Sequence, residues 1–230
     1  ALDNLQQQLG QQAIDIIKIP IVDLRTNTVA ARELRALRLR KPDVSERALY
    51  AAALNDGRLV ELDLAQTRRC IELAAALKSK VPLHLAVFCD TLLSDRFEEL
   101  ALLMVDASRH SALVLSINAA QVPADSATLV HRVAQLQRIG IGIELVDLGA
   151  DGDSLSAVLA LQPDIVRISA ELLAHGVVAS DRRVRYEYLA RMLGAIGCQL
   201  IADGVDDERQ RAFVMALGIE LAIGAAARPA

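Results

Sequence analysis

Charged side chains follow several short apolar segments of the chain, and folding can bring such positions together. Asp147 ends the apolar run from Ile143 in the segment IELVDLGADGDSL, and Asp203 follows the run QLIA. Arg167 follows the run DIV, and Glu33 lies within a longer strand-like segment. Charged side chains at the ends of apolar strands are candidates for a functional site, since such positions of an α/β fold gather at one edge of its sheet.

Other reactive side chains lack the neighbours that catalysis or metal binding requires. The four histidines have no partner at the spacing of a metal motif. Ser116 and Ser169 have no histidine beside them in a motif, which argues against nucleophilic catalysis. The three cysteines are widely spaced and form no CxxC motif, so they are predicted to be structural thiols of a reduced, cytoplasmic domain.

Length and composition narrow the class of protein. The chain has 230 residues, which fits one α/β barrel, and 53% of them are hydrophobic. The net charge of -4 argues against a nucleic-acid-binding surface, while a local pocket for a small anion stays open. No apolar run of about 18 residues and no signal peptide is present, so direct membrane insertion is not expected. The chain starts with Ala1, which leaves room for an upstream segment that tethers it to a membrane.

The N-terminal region changes its hydrophobic period. Leucines at positions 2, 5 and 9, followed by Ile16, have the spacing of a helix or of the end of an upstream coiled coil, which is predicted over residues 1–16. Residues 14–24 and 28–39 have the pattern of two strands, and the Thr-Asn-Thr turn between them predicts an antiparallel hairpin. The barrel domain is placed at residues 17–230.

Beyond residue 42 the pattern alternates between helices and short apolar strands, which is typical of a parallel sheet covered by helices. Strands are predicted at 81–88, 112–117, 140–146, 164–168, 199–202 and 220–223, with helices at 62–77, 94–108, 126–138, 154–161, 182–196 and 206–217. With the hairpin, eight strands predict a TIM-like (β/α)8 barrel. A doubly wound open sheet is the alternative, although no glycine-rich loop follows the first strand. Functional residues of such barrels lie at the carboxyl ends of strands, as Asp147, Arg167 and Asp203 do here.

One acid stands in the middle of a predicted strand. Glu144 lies between the apolar residues Ile143 and Leu145. It is interpreted as a charged residue on the helix-facing or edge side of the sheet, paired with a basic neighbour, and the alternative is a displaced pocket acid. His84, in the third strand, is interpreted as a hydrogen-bonded structural residue.

Six segments, taken together, match the motif order of one known family. IVDLRTNTVAARELRAL resembles an opening strand followed by the motif Glu-Ala-Leu, and ALNDGRLVELD resembles AEETGLIxELD. IGIELVDLGADGDSL, DIVRIS, LIADGVDDERQ and GAAARP resemble LALDDFGTGYSSL, DxLKID, IAEGVExxxQ and QGYxFxRP in turn. In this order they resemble EAL domains, the cyclic di-GMP phosphodiesterase family. The resemblance covers nearly the whole chain and implies a barrel whose first strand is antiparallel, in agreement with the predicted hairpin.

The resemblance implies a site for two Mg²⁺ or Mn²⁺ ions, held by a ring of carboxylates and one amide. Carried over position by position, Glu33 stands at the motif glutamate and Asp147 at the second acid of the Asp-Asp pair. Arg167 replaces the lysine after the sixth strand. Asp203 and Asp206 replace two glutamates with shorter acids.

Three ligand positions of the family carry residues of another kind. The asparagine after the third strand is Phe88, the glutamate of the fourth strand is Ser116, and the first acid of the Asp-Asp pair is Val146. Phe88 and Val146 offer no ligand atom, and Ser116 offers only a neutral hydroxyl. The resemblance therefore implies a degenerate EAL domain that has lost its metal pair and its phosphodiesterase turnover.

The sequence is compatible both with binding of cyclic di-GMP without metals and with loss of that binding. Arg35 stands in place of the motif leucine, and the arginine that contacts the nucleotide in the family is replaced by Leu37. Arg35 shares the strand face of Glu33, so it either supplies positive charge to the pocket or simply pairs with an acid such as Glu33. The vestigial pocket is predicted to comprise Glu33, Arg35, Asp147, Arg167, Asp203 and Asp206.

The resulting hypothesis is a catalytically inactive signalling domain that regulates through an unidentified protein partner. Cyclic di-GMP is a candidate ligand, and a homodimer is a candidate assembly. The alternatives are a protein-interaction scaffold that needs no nucleotide and a weak residual phosphodiesterase.

Overall fold

The computed structural model describes residues 15–37, 46–124, 126–148, 152–168 and 180–229. The helix or coiled coil predicted over residues 1–16 lies outside these ranges except for Asp15 and Ile16. Both of these residues belong to the first strand, because the alternating strand pattern starts before the helical spacing ends. None of the described helices is long and apolar enough to cross a membrane.

Eight strands close into a barrel in the order in which they occur along the chain. They are β1 (Asp15–Asp23), β2 (Thr28–Leu37), β3 (Leu83–Val87), β4 (Leu113–Asn118), β5 (Gly142–Leu148), β6 (Ile165–Ile168), β7 (Gln199–Asp203) and β8 (Leu221–Ile223). β1 is antiparallel to both of its neighbours, β2 and β8, and the other pairs are parallel. The predicted TIM-like α/β barrel with an antiparallel first strand is confirmed.

Helices cover the outside of the barrel. They are α1 (Glu46–Asn55), α2 (Leu59–Leu77), α3 (Cys89–Leu93), α4 (Phe97–Ser108), α5 (Ala127–Arg138), α6 (Gly152–Leu161), α7 (Ser180–Ala195) and α8 (Glu208–Ala216). The prediction of a helix over residues 94–108 is wrong at its start, because residues 94–96 separate α3 from α4. Ser94 explains the break, because its hydroxyl donates to the Thr91 carbonyl and accepts from the Arg96 amide instead of leaving the backbone to continue the helix.

The inside of the barrel changes character along its axis. An apolar cluster fills the end where the parallel strands begin, and it includes Val114, Ile165 and Ile201. Side chains on one face of a strand recur every second residue, so the next inward positions are Ser116, Arg167 and Asp203. The interior of the barrel is therefore polar at the carboxyl end of the parallel strands and apolar at the opposite end.

Candidate functional site

A cavity of ≈ 260 Å³ opens at the carboxyl end of the barrel. Five of the six predicted pocket residues line it, namely Glu33, Arg35, Asp147, Arg167 and Asp203. Asp206 does not belong to the lining. Its carboxylate accepts a hydrogen bond from the Ala225 amide at 2.8 Å, which ties together the two loops that follow β7 and β8.

Arg167 lies at the bottom of the cavity and connects two carboxylates. Its Nε and Nη2 donate to the two oxygens of Glu144 at 2.9 and 3.0 Å. Its Nη1 donates to Glu33 Oε2 at 2.5 Å. The Arg167 side chain is only 5% exposed, so these contacts lie in a region of weak solvent screening. Burial alone would lower the pKa of Arg167, but the charges of Glu144 and Glu33 more than offset it and raise that pKa.

Glu144 is fully buried inside the barrel, so the interpretation that it faces the helices or an edge is wrong. The expected basic partner is present, but it points inward, because Glu144 shares the inner face of β5 with Val146. His84 Nδ1 lies 3.0 Å from Glu144 Oε2, and the Ser116 hydroxyl donates to the same oxygen. Burial would raise the pKa of Glu144, but Arg167 and the hydrogen bond with His84 lower it to about 2.

Arg35 approaches Glu33 from the open side of the cavity. Its Nε and Nη2 lie 2.8 and 2.7 Å from Glu33 Oε1. Because Arg167 contacts Oε2, each oxygen of Glu33 faces a different guanidinium group. The Arg35 side chain is 43% exposed, whereas that of Glu33 is 8% exposed. The interpretation that Arg35 pairs with Glu33 agrees with this geometry, and Arg35 also borders the cavity.

The end of β5 places its acid at the rim. The pairing of β5 with β6 shifts register between Leu145 and Leu148, and Asp147 adopts a left-handed backbone with φ of 55°. Aspartate tolerates this conformation better than most residues. Val146 therefore faces the cavity, and the exposed Asp147 accepts a hydrogen bond from Asn118 Nδ2 at 2.8 Å.

Asn118 is a pocket residue that the sequence did not single out. It ends β4 two positions after Ser116, on the same strand face, and its Oδ1 accepts from the Ala120 amide at 2.9 Å. The available signal was its place as a polar residue at the carboxyl end of a predicted strand.

Asp203 lies at the end of β7 and also lines the cavity. Its Oδ2 lies 3.9 Å from Arg167 Nη1, and its side chain is 32% exposed. Burial raises the pKa of Asp203, opposed by the charge of Arg167 and assisted by the charge of Glu33.

Asp63, in α2, is a second lining residue that the sequence did not single out. Its Oδ2 accepts from the Phe88 amide at 3.0 Å and from the Thr91 hydroxyl at 2.5 Å, so it holds the β3–α3 junction against α2. Burial raises the pKa of Asp63 to about 7, and the two hydrogen bonds oppose that rise. The last position of VELD, within the motif-like segment ALNDGRLVELD, was its only sequence signal.

Comparison with protein-family models matches the EAL domain over residues 2–230. The chain belongs to the EAL domain family. No curated protein sequence matches it significantly.

Solved EAL domains share the fold at low sequence identity. The Xanthomonas citri FimX EAL domain in complex with c-diGMP has a TM-score of 0.84 at 14% identity, over 97% of this chain and 90% of that chain. The PaMucR phosphodiesterase in complex with c-di-GMP has a TM-score of 0.84 at 18% identity, over 99% and 96%. The Pseudomonas aeruginosa FimX EAL domain bound to c-di-GMP has a TM-score of 0.80 at 18% identity, over 97% and 93%.

Most oxygen donors around the cavity of this EAL domain are engaged with other side chains. Among the described residues, no group of three or more His, Cys, Asp or Glu side chains is arranged to hold a metal ion. Glu33, at the position of the motif glutamate, has a guanidinium contact on each oxygen. Phe88 and Val146 line the cavity with carbon atoms only, and the Ser116 hydroxyl is directed to Glu144.

Proposed function

We propose that this EAL domain is a regulatory module that does not hydrolyse cyclic di-GMP and acts by binding another protein. The observation that carries the proposal is the pair of guanidinium groups on Glu33. A divalent cation at Glu33 would have to displace Arg35 and Arg167 or lie against their positive charges. Repulsion between such charges is large in a partly buried site, where solvent screens them poorly.

The replaced ligand positions support the same proposal. Mg²⁺ requires nearly octahedral oxygen coordination, and Ca²⁺ requires still more oxygen ligands. Of the described acids around the cavity, Asp147 lies at the exposed rim with a neutral amide partner, and Asp203 lies beside Arg167. The proposed loss of the Mg²⁺ or Mn²⁺ pair thus follows from ligand chemistry and charge together.

Incubation of the purified protein with cyclic di-GMP and either Mg²⁺ or Mn²⁺ tests this proposal. We expect the nucleotide to remain intact when the products are separated by chromatography. Hydrolysis at rates ordinary for an enzyme would reject the proposal in favour of a phosphodiesterase.

Cyclic di-GMP remains a candidate ligand of the module, and the solved relatives that bind it support that candidate. The two arginines that line the described part of the cavity are already engaged, however. Arg35 pairs with Glu33, and Arg167 pairs with Glu33 and Glu144. We therefore propose that a nucleotide with two phosphates binds weakly unless one arginine is released.

Glu33→Gln is expected to increase the affinity for cyclic di-GMP about ten-fold, because it releases Arg35 to donate to a phosphate. This direction is the opposite of that expected where the glutamate holds a metal. Calorimetric titration of the wild type and the variant measures the change. Arg35→Ala combined with Glu33→Gln is the control and should lose the gain. Equal affinity of wild type and Glu33→Gln would show that Glu33 does not restrain Arg35.

The same titration distinguishes a module that binds cyclic di-GMP from a scaffold that needs no nucleotide. Absence of heat at high ligand concentration in every variant favours the scaffold. Sedimentation measures whether a homodimer forms.

A further inference from the structure

We propose that the cavity receives the guanidinium group of an arginine side chain presented by another protein. The inference rests on the proposed partner-binding function and specifies the chemistry of the contact.

Charge balance around the cavity is the first support. The guanidinium groups of Arg35, on the open side, and Arg167, at the bottom, neutralise the carboxylates of Glu33 and Glu144. Asp147 and Asp203 are then left near the opening, and no cation lies closer than 3.9 Å to Asp203 among the ion pairs of the described residues. Asp147 is held by the neutral amide of Asn118. Counted over the described residues only, the opening therefore has two carboxylates without a close cation, an arrangement that attracts a cation and disfavours a dianion.

The dimensions of the cavity are the second support. Its volume of ≈ 260 Å³ lies below the range of about 300–1,000 Å³ that is usual for small-molecule sites. A single long side chain can be accommodated in this space.

An aromatic wall favours guanidinium over ammonium. Tyr50 and Phe88 line the cavity with ring centroids 5.0 Å apart and an interplanar angle of 67°. A guanidinium group is planar and weakly hydrated, so it stacks on an aromatic ring and donates to carboxylates in the same plane. Ammonium is a compact, strongly hydrated charge and gains less from such a wall.

A buried hydroxyl without a hydrogen-bond partner lies beside the cavity. Thr67 lines the same cavity, its residue is 2% exposed, and its Oγ1 has no hydrogen-bond partner within the described part of the chain. Buried polar atoms are nearly always paired. An incoming N–H donor would supply the partner.

The test uses N-acetyl-arginine methylamide as the probe, titrated into the isotope-labelled protein and followed by NMR. We expect saturable shifts of cavity amides in the millimolar range, where a single side chain binds. The citrulline analogue has the same shape without the charge and is expected to bind at least about ten-fold more weakly, since hydrogen bonds to charged groups are stronger. Equal binding of the two probes, or no saturable shift, would overturn the proposal.

A matched pair of variants locates the site. Asp147→Asn with Asp203→Asn should weaken arginine binding about ten-fold. Glu98→Gln with Asp106→Asn makes the same change of net charge on the exposed face of α4 and should leave binding unchanged. An equal loss in both would assign the effect to net charge and contradict the cavity.

The origin of the arginine is tested by sedimentation. Self-association that disappears in the Asp147→Asn variant would place an arginine of a second copy in the cavity and contradict the proposal of another protein. The hydrolysis assay on the same sample keeps the two proposals separate, since failure to bind arginine without hydrolysis rejects only this inference.

Discussion

Restoring the three missing oxygen donors through Phe88→Asn, Ser116→Glu and Val146→Asp is expected to yield a destabilised protein without phosphodiesterase activity. The Ser116 hydroxyl donates to Glu144 Oε2, so a glutamate at this position would force a second carboxylate against a fully buried one. An uncompensated charge in a protein interior costs about 3–5 kcal/mol. Chemical denaturation measures the loss of stability, and chromatography of the nucleotide measures turnover.

Two further substitutions are needed to relieve that conflict. Glu144→Ala removes the buried acid, and Arg167→Lys removes the fork that holds Glu33 and Glu144 together. We expect the protein with all five substitutions to regain most of the lost stability. It is also the background in which we expect Mn²⁺-dependent hydrolysis. Turnover by the triple variant alone would show that the lost ligands, rather than the arginine network, prevent catalysis.

Arg167→Met is expected to lower the free energy of unfolding by about 3–5 kcal/mol, because Glu144 would keep a buried charge with no guanidinium partner. Adding Glu144→Leu removes that charge and is expected to recover most of the loss, since well-packed apolar residues often replace a buried ion pair at little cost. Urea denaturation of both single variants and the double variant gives the coupling energy.

Arg35→Met is the matched control for that experiment. Arg35 also pairs with Glu33, but its side chain is 43% exposed, and exposed ion pairs contribute about 0–1 kcal/mol. A loss from Arg35→Met as large as that from Arg167→Met would contradict the assignment of the buried pair as the stabilising one.

The alternation of apolar strands and helices was sufficient to predict the barrel, because each short apolar segment must be covered on its outer face by the helix beside it. The same alternation placed Arg167 and Asp203 at the carboxyl ends of β6 and β7, as the structure has them. The hairpin turn predicted the antiparallel direction of β1, and the resemblance to EAL motifs placed Glu33 at the motif glutamate. These features depend on local pattern and order, which a sequence contains.

The contacts among the charged residues depend on strand register, which the sequence does not contain. Arg167 meets Glu33 across 134 positions of the chain, and only closure of the barrel brings β2 and β6 to the same interior. Glu144 was placed outside because a buried acid is costly without a partner. In the observed register Glu144 is opposite Ile165, so Arg167 lies one inward position above it and supplies that partner.

The position of Asp147 was predictable, but its conformation was not. The end of the apolar run predicted that Asp147 lies at the end of β5. The register shift and the left-handed backbone of Asp147 depend on the pairing of β5 with β6. Asn118, which donates to Asp147 from β4, follows a predicted strand, but its contact with Asp147 depends on the pairing of β4 with β5.

The central claim is that Arg35 and Arg167 occupy the place of the metal pair at Glu33. Its most direct test is a crystal grown with cyclic di-GMP and Mn²⁺, measured at a wavelength where manganese scatters anomalously. We expect no pair of anomalous peaks in the cavity and expect Arg167 to remain on Glu33 and Glu144. Two manganese peaks bridged by Glu33 and Asp147, with both arginines displaced, would contradict it.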